Sequence, residues 1–372
     1  MLLSNAFDPD PRVHQEAASL VKNGYDVTIL CWDRDYKQVP FEIIDGIGVE
    51  RIYVRSTHGR GTTQMLFLFA FWLKAFVRGL SKRFDVVHCH DFDTLPLGYA
   101  LSVLKKAKLV YDSHESYIDM LGNIPACLKK AIYRTESFLL KRADMLITVG
   151  EILRQSFQAR GAKNTCVVGN WKDSSQFQFP QEDLKAERER LNISDDTLVV
   201  SFIANLGYER QIPQLIEAVA GLPETALMIG GKGSCQAMAE QASRQFSNVR
   251  YLGYVHPSKV PFYTAVSDVV FYGFDPQNPN SRYSAPNKLF EALASGKAVL
   301  TGDFGEISRI VREEQCGIVL ASYTVEDIKK ALSSLMTIGL GEFTRNSRHA
   351  SEHKYSWQKA SQVLIQSYRQ LG

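Results

Sequence analysis

Lys288 and Glu291 lie three residues apart in Ser284-Ala-Pro-Asn-Lys-Leu-Phe-Glu-Ala-Leu-Ala-Ser-Gly-Lys-Ala-Val-Leu300. Pro286 suits a turn or a helix's first position and Gly296 suits its left-handed stop, so both charges fall on one face near a helix's amino end. Leu289, Phe290, Leu293 and Ala294 give that helix its apolar side. A helix amino end offers unpaired amides and a positive dipole to a phosphate, and a lysine beside it adds a full charge. Glu291 brings two acceptor oxygens, which fit the paired hydroxyls of a ribose. An i,i+3 surface ion pair accounts for the same spacing. A second set of reactive residues is Asp85-Val-Val-His88-Cys-His90-Asp91, followed one unit later by Lys108-Leu-Val-Tyr-Asp112-Ser-His114-Glu115. Each reads as a buried strand that delivers a histidine and an acid to its carboxyl end, and in parallel sheets such ends converge on one cleft.

The positioning elements follow an α/β pattern. Leu2 and Leu3 read as the end of a buried strand. Asp10 as N-cap and Pro11 as first helical residue open a helix with Ala17, Leu20 and Val21 facing inward, stopped by Gly24. Tyr25 to Cys31 is the next strand, which completes a strand–helix–strand unit of a parallel sheet. A helix over Ala126 to Arg142 and a strand over Met145 to Val149 supply another unit. Residues 171–192 are polar and read as a linker plus the first helix of a second domain. The pattern then starts afresh: strand Leu198 to Ile203, a loop holding Gly207 and Arg210, a helix from Pro213, and strand Ala226 to Ile229. Gly230-Gly231-Lys232-Gly233 follows that strand. Such a turn lets backbone approach a phosphate or base, although it lacks the full dinucleotide fingerprint and glycines also merely make turns. Strands over Val249 to Leu252 and Asp268 to Tyr272 lead to a long polar loop, Gly273 to Tyr283. The expected domains are 1–172, 191–355 and a terminal helix, 356–372, packing back on the first.

Gln64 to Lys74 is the most apolar stretch, too short for the roughly 20 residues that span a bilayer. Lys74, Arg78 and Lys82 fall four apart beside Phe67, Phe71 and Trp72. Residues 65–83 therefore read as an interfacial helix, or equally as a core helix with a basic solvent face. A net charge of +3 without an arginine-rich tract argues against a nucleic-acid partner. Six cysteines without CxxC spacing read as reduced residues of a cytosolic protein, with no zinc site. Met1-Leu2-Leu3 passes at once into polar and turn residues, unlike a signal peptide.

Over nearly its whole length the chain resembles the family 4 glycosyltransferases. The likeness runs through Asp10-Pro-Arg-Val with Gly24-Tyr-Asp-Val, Val87-His-Cys-His-Asp, Tyr111-Asp-Ser-His-Glu, and Gly207 with Arg210. It continues through Gly230-Gly-Lys-Gly, Leu252-Gly-Tyr-Val and Pro286-Asn-Lys-Leu-Phe-Glu-Ala-Leu-Ala-Ser-Gly. The resemblance implies two facing Rossmann-like domains, the GT-B arrangement. It implies a retaining, metal-independent transferase that needs no cofactor beyond a UDP- or GDP-sugar co-substrate. Glu291 would bind the donor ribose, with Gly231, Gly233, Val255, Asn287 and Leu289 framing the nucleotide. Arg210 and Lys288 would neutralise the diphosphate, and His114 would sit over the transferring sugar. Asp10, Arg12, His90 and Asp91 would lie on the acceptor side. The acceptor would be a glycan or lipid-linked saccharide of surface polysaccharide or glycolipid assembly, met in the cytoplasm or at the inner face of the plasma membrane. Two departures stand out. Tyr283 occupies the position of the family's first motif glutamate, and relatives begin their first strand several residues earlier. A sugar-nucleotide epimerase of the same fold, or a non-catalytic nucleotide-binding partner subunit, are the rival readings.

Overall fold

The computed structural model describes residues 1–8, 10–56, 64–121 and 124–372. The chain divides into two compact units, Met1–Gly169 with Ala360–Gly372, and Asn170–Lys359. The first unit is built on β1 (Leu2–Leu3), β2 (Thr28–Asp33), β3 (Phe41–Ile44), β4 (Ile47–Tyr53), β5 (Val86–His90), β6 (Lys108–Ser113), β7 (Met145–Thr148) and β8 (Thr165–Val167). They form one sheet in the order β3-β4-β2-β1-β5-β6-β7-β8. Among the described residues, only the β3–β4 pairing of this sheet is antiparallel. β2, β5 and β6 are buried along most of their length, as expected where helices cover both faces of a parallel sheet. Strand order reverses between β1 and β5, so the loops after those two strands splay apart and open a crevice at their carboxyl ends.

Helix α1 (Pro11–Lys22) starts where the sequence places it: the Asp10 side chain accepts from the amides of Arg12 and Val13, and Gly24 follows with φ +86°. Strand β2 starts at Thr28 rather than Tyr25, because the Tyr25 ring turns out of line to meet Tyr368 edge-on at 5.5 Å. The β3–β4 hairpin was not anticipated, although Asp45-Gly46 joins its strands with φ +50° and +80°, the conformation that tight hairpins demand.

Helix α2 (Gln64–Leu80) corrects an expectation. Phe71, Ala75 and Gly79 face the core, with the Phe71 ring stacked on Trp32 at 5.3 Å. Trp72 Nε1 donates to the Asp93 carbonyl at 2.7 Å. Phe71 therefore cannot enter a lipid boundary, whereas Trp72 is half-buried and meets the exposed Phe69 edge-on at 5.1 Å. The exposed apolar row is Leu66, Phe69, Leu73 and Val77. Lys82 and Arg78 both pair with Glu50, and Lys74 donates to the Tyr53 carbonyl. Among the described residues, no helix is long and apolar enough to cross a membrane.

The second unit holds β9 (Leu198–Ile203), β10 (Thr225–Gly230), β11 (Val249–Tyr251), β12 (Val269–Tyr272), β13 (Ala298–Gly302) and β14 (Gly317–Leu320), all parallel, in the order β11-β10-β9-β12-β13-β14. β9 and β10 are buried at every position, and Phe202, Leu227 and Phe271 belong to a single core with Leu215 and Leu332 from the covering helices. The chain reverses between β9 and β12, which again opens a crevice at the carboxyl ends. The last helix, Trp357–Arg369, gives its residues from Ala360 onward to the first unit, where Tyr368 Oη lies 2.7 Å from His88 Nδ1.

Candidate functional site

In the second unit, glycines lock three loops together at the carboxyl edge. Gly231 (φ +136°) leaves no room for a side chain, since a Cβ would stand 1.8 Å from the Ala204 carbonyl oxygen. A Cβ on Gly233 would stand 2.5 Å from the Leu206 carbonyl oxygen, and one on Gly273 would stand 2.2 Å from that of Arg210. The glycine turn thus packs backbone against the loop after β9. Gly273 does the same against the segment that bears Arg210. Arg210 Nη1 donates to Tyr272 Oη at 2.6 Å, which aims a half-buried guanidinium along the end of β12. Val255 sits against Gly230, where an added Cβ would come within 2.7 Å of its Cγ2.

The helix Asn287–Ser295 begins after Pro286 and ends at Gly296 (φ +66°), as its sequence dictates. Among the described residues, no side chain caps its amino end. Lys288 Nζ and Glu291 Oε2 are 2.7 Å apart, with side chains 14% and 11% exposed. In the empty protein the two are each other's partner, so the ion-pair geometry and a ligand role share the same residues. Asn287 Oδ1 accepts from Lys172 Nζ at 2.6 Å. Leu289 is buried, and its amide donates to the Pro286 carbonyl at 3.2 Å. Tyr283 closes a single 3-10 turn, Pro279–Tyr283, ahead of this helix. Lys232, stacked over the Tyr254 ring at 5.0 Å, is a cation of the glycine turn that the motif reading passed over, though it stands within Gly230-Gly-Lys-Gly.

The first unit gathers its charged residues more deeply. Arg12 Nη2 lies 2.9 Å from Asp112 Oδ1 and 3.0 Å from Glu16 Oε1, and its Nη1 donates to the Val168 carbonyl at 2.7 Å. The His90 ring stacks on His88 at 4.4 Å between centroids, and its Nδ1 stands 3.2 Å from Asp112 Oδ2. Of the residues expected on the acceptor side, Arg12 and His90 are buried, because both faces of the sheet are covered and the last residue of β5 still lies inside; the His90 Nε2 has no hydrogen-bond partner among the described residues. Asp10 and Asp91 are the members of that set that reach the surface. Glu16, His88 and Asp112 were not anticipated as a cluster; sequence alone carries no signal that α1 meets β6 a hundred residues on. Glu16, His88, His90 and Asp112 bring potential metal ligands within 4.8 Å of one another. The Arg12 guanidinium already stands against both acids, so the cation of this cluster is a protein side chain.

Burial drives the carboxyl of Glu16 upward, and the neighbouring charge of Asp112 adds to it. Burial likewise opposes charge on His90, held well below the ordinary histidine value, with His88 adding to the effect. His114 goes the other way. Burial works against its charged ring, but Asp91 and Asp112 outweigh it and lift the ring to about 9. A histidine raised above its unfolded value stabilises the fold fully below about 6.5, and that contribution is lost as pH rises through about 9. The melting temperature should therefore fall more between those two pH values in the natural protein than in His114→Asn; parallel slopes would show that folding does not raise His114.

A cavity of about 600 Å³ opens at the opposite, amino-end edge of the first unit's sheet, beside Thr28, Val86, His88 and Tyr368. It touches none of the expected site residues.

Residues 9–171 match the glycosyl transferase 4-like domain, and residues 183–353 match glycosyl transferases group 1. The chain is a family 4 glycosyltransferase. This transferase is 24% identical over 366 residues to an uncharacterized glycosyltransferase of Methanocaldococcus jannaschii, across 95% of this chain and 92% of that one. Sucrose-phosphate synthase from Thermosynechococcus elongatus has a similar structure, with a TM-score of 0.80 at 16% identity over 100% of this chain and 98% of that one. So does Anabaena HepE, solved in complex with UDP (TM-score 0.74, 16% identity, covering 99% and 98%) and with UDP-glucose. The transferase has the GT-B fold, two domains each built on a parallel sheet.

Proposed function

We propose that this transferase moves a sugar from a UDP-sugar to a hydroxyl of a glycan or lipid-linked acceptor, with retention at the sugar carbon and without a metal. The observation that carries the donor reading is the Lys288–Glu291 pair on an uncapped helix amino end, in the unit where Arg210 is also held at the carboxyl edge of a parallel sheet. On binding, Glu291 turns its acceptors to the ribose hydroxyls. Lys288, Arg210 and the helix's amides then stabilise charge on the departing diphosphate. Gly231, Gly233, Val255, Asn287 and Leu289 frame the nucleotide through backbone groups. The known complexes of HepE with UDP and UDP-glucose support UDP as the carrier over GDP. His114 and Asp91, both half-buried, directly follow β6 and β5 at the carboxyl edge of the first unit's sheet. Melting the protein with UDP, GDP, ADP and uridine tests the donor reading. A ligand at 100 times its dissociation constant adds about 2.7 kcal/mol of stability, so UDP should raise the melting temperature clearly and uridine much less. Equal shifts for UDP and uridine would remove the diphosphate from the site.

A second reading concerns the place of work. The exposed row Leu66, Phe69, Leu73 and Val77 on α2 fits the acyl boundary of a membrane, with Lys74, Arg78 and Lys82 beside it. Glu50 already neutralises part of that charge, so the apolar row carries most of the binding. Leu73→Ser with Val77→Ser should abolish sedimentation with anionic vesicles, while Phe71→Leu should leave it unchanged. Loss with the core variant alone would refute this orientation of α2.

A further inference from the structure

A smaller cavity, of about 320 Å³, lies wholly within the second unit. Its lining includes Gln181, Lys185, Arg188, Asp195, Asp268 and Lys297. It opens at the amino-end edge of the sheet, since Asp268 directly precedes β12 and Lys297 directly precedes β13. Arg210 and the glycine turn follow the carboxyl ends of their strands, so this cavity and the donor residues occupy opposite edges. At this size it stands at the small end of ligand pockets, which run roughly 300–1,000 Å³.

The bonds around the cavity leave cationic nitrogens over. Arg188 Nε and Nη2 donate to the Val266 carbonyl at 3.1 and 2.8 Å, and Nη2 also meets Asp268 Oδ1 at 2.8 Å. Asp268 Oδ2 accepts from the Val199 amide at 2.9 Å, so both oxygens of that acid are taken up. Among the described residues, Arg188 Nη1, Lys185 Nζ and Lys297 Nζ line the cavity without a hydrogen-bond or ion-pair partner. Cations beside helix carboxyl ends are ordinary, and the helices Val260–Val266 and Asn287–Ser295 both end here. Arg188 fits that role through the Val266 carbonyl. Lys297 does not, because its side chain bonds no carbonyl. It is half-buried, and the charged groups facing it are Lys185 and Arg188 from the helix Gln181–Arg190, Asp195, Asp268, and Arg348 from the helix Gly341–His353. Burial brings its ammonium down to about 8; Asp268 opposes this, while Arg188 and Arg348 add to it. An amine so placed is a nucleophile, and unpartnered cations beside it suit a phosphate.

We propose that Lys297 is a modification site, acylated at Nζ by a small acyl phosphate whose phosphate group is held by Arg188 and Lys185. In the step, the neutral amine attacks the acyl carbon and forms the C–N bond. The bond from that carbon to the phosphate oxygen breaks, and its electron pair leaves with the phosphate. The proton lost from nitrogen passes to the departing group, so the products are an acyl-lysine and hydrogen phosphate. The amide carries no charge, which removes from the cavity an ammonium that burial and two arginines oppose. The reaction is independent of sugar transfer and of the donor site.

The test incubates the full chain with acetyl phosphate near neutral pH and follows each lysine by digestion and mass spectrometry. An amine at about 8 then has on the order of 100-fold more neutral form than a lysine at the ordinary value of about 10.4. Lower basicity and partial burial reduce that advantage, so Lys297 should be acetylated at least about tenfold faster than the exposed Lys259. Its rate should level off above about pH 8. Inorganic phosphate, at matched ionic strength, and Lys185→Gln should each slow this reaction severalfold. Both should act much less on acetylation by phenyl acetate, which has no phosphate. Lys185 is exposed, so its variant should melt like the natural protein. In guanidinium chloride the preference for Lys297 should vanish. If Lys297 reacts no faster than Lys259 in the folded protein, or if its preference survives unfolding, the modification site is overturned. If neither inorganic phosphate nor Lys185→Gln slows the reaction with acetyl phosphate, the phosphate hold is overturned and the proposal with it.

Discussion

Asp112→Ala should destabilise the first unit by about 3–5 kcal/mol, the loss seen when one partner of a buried ion pair is removed. Asp112 has a fully buried side chain and meets Arg12, His90 and His114 at 2.9, 3.2 and 3.1 Å. Burial would push its carboxyl up, but Arg12 and then His114 pull it well below the ordinary range. Without Asp112, the Arg12 guanidinium keeps only Glu16 and the Val168 carbonyl among the close partners named above, and Glu16 is itself driven toward its neutral form. The sign with pH follows from the depressed carboxyl: its contribution is full above the ordinary aspartate value and is lost as pH falls below it. Urea unfolding near neutral pH should show the whole loss, and the gap between natural protein and variant should close in acid. A variant that unfolds at the natural urea concentration would mean that Arg12 is satisfied without its aspartate.

Lys288→Met and Arg210→Met should each lower turnover about 10²–10³-fold, equivalent to the ~2.7–4 kcal/mol that one donor to a developing oxyanion contributes. Uridine, which lacks the phosphates, should bind both variants as it binds the natural protein. The two lysine and arginine substitutions differ in a way the structure makes testable. Lys288→Met leaves the nearly buried Glu291 carboxylate without its partner at 2.7 Å, so the empty protein should also lose stability, and adding Glu291→Gln should restore it. Arg210→Met removes a hydrogen bond to Tyr272 Oη at 2.6 Å and leaves no buried charge behind, so its melting temperature should change less. If turnover falls only in proportion to stability, the two cations hold the fold and not the diphosphate.

The sequence announces the elements with local chemistry more clearly than the partners they find. Asp10-Pro11 and Gly296 mark helix ends by conformational need alone, and the apolar runs of β9 and β12 stand out because buried parallel strands need no polar alternation. Where apolar residues crowd every position, as in Gln64 to Leu80, periodicity cannot say which side faces in. That is why the inward position of Phe71 is not legible in the sequence. His90 is hard to place for a related reason: a histidine after an apolar run looks like a strand end opening to solvent, while here the strand's last residue is still covered. The Glu16–Arg12–Asp112 arrangement was illegible because its decisive bond joins residues a hundred positions apart. The β3–β4 hairpin, by contrast, has a local signal in Asp45-Gly46.

The bond between Tyr368 and His88 has a consequence for how the polypeptide reaches its native state. The second unit is a contiguous segment, whereas the first is assembled from both sides of it. During synthesis, residues 170–359 can finish folding while His88 Nδ1, fully buried in the native protein, still waits for a hydroxyl that has not emerged from the ribosome. The histidine cluster must remain incomplete until Tyr368 has been made, so the unit begun before residues 170–359 is completed after them.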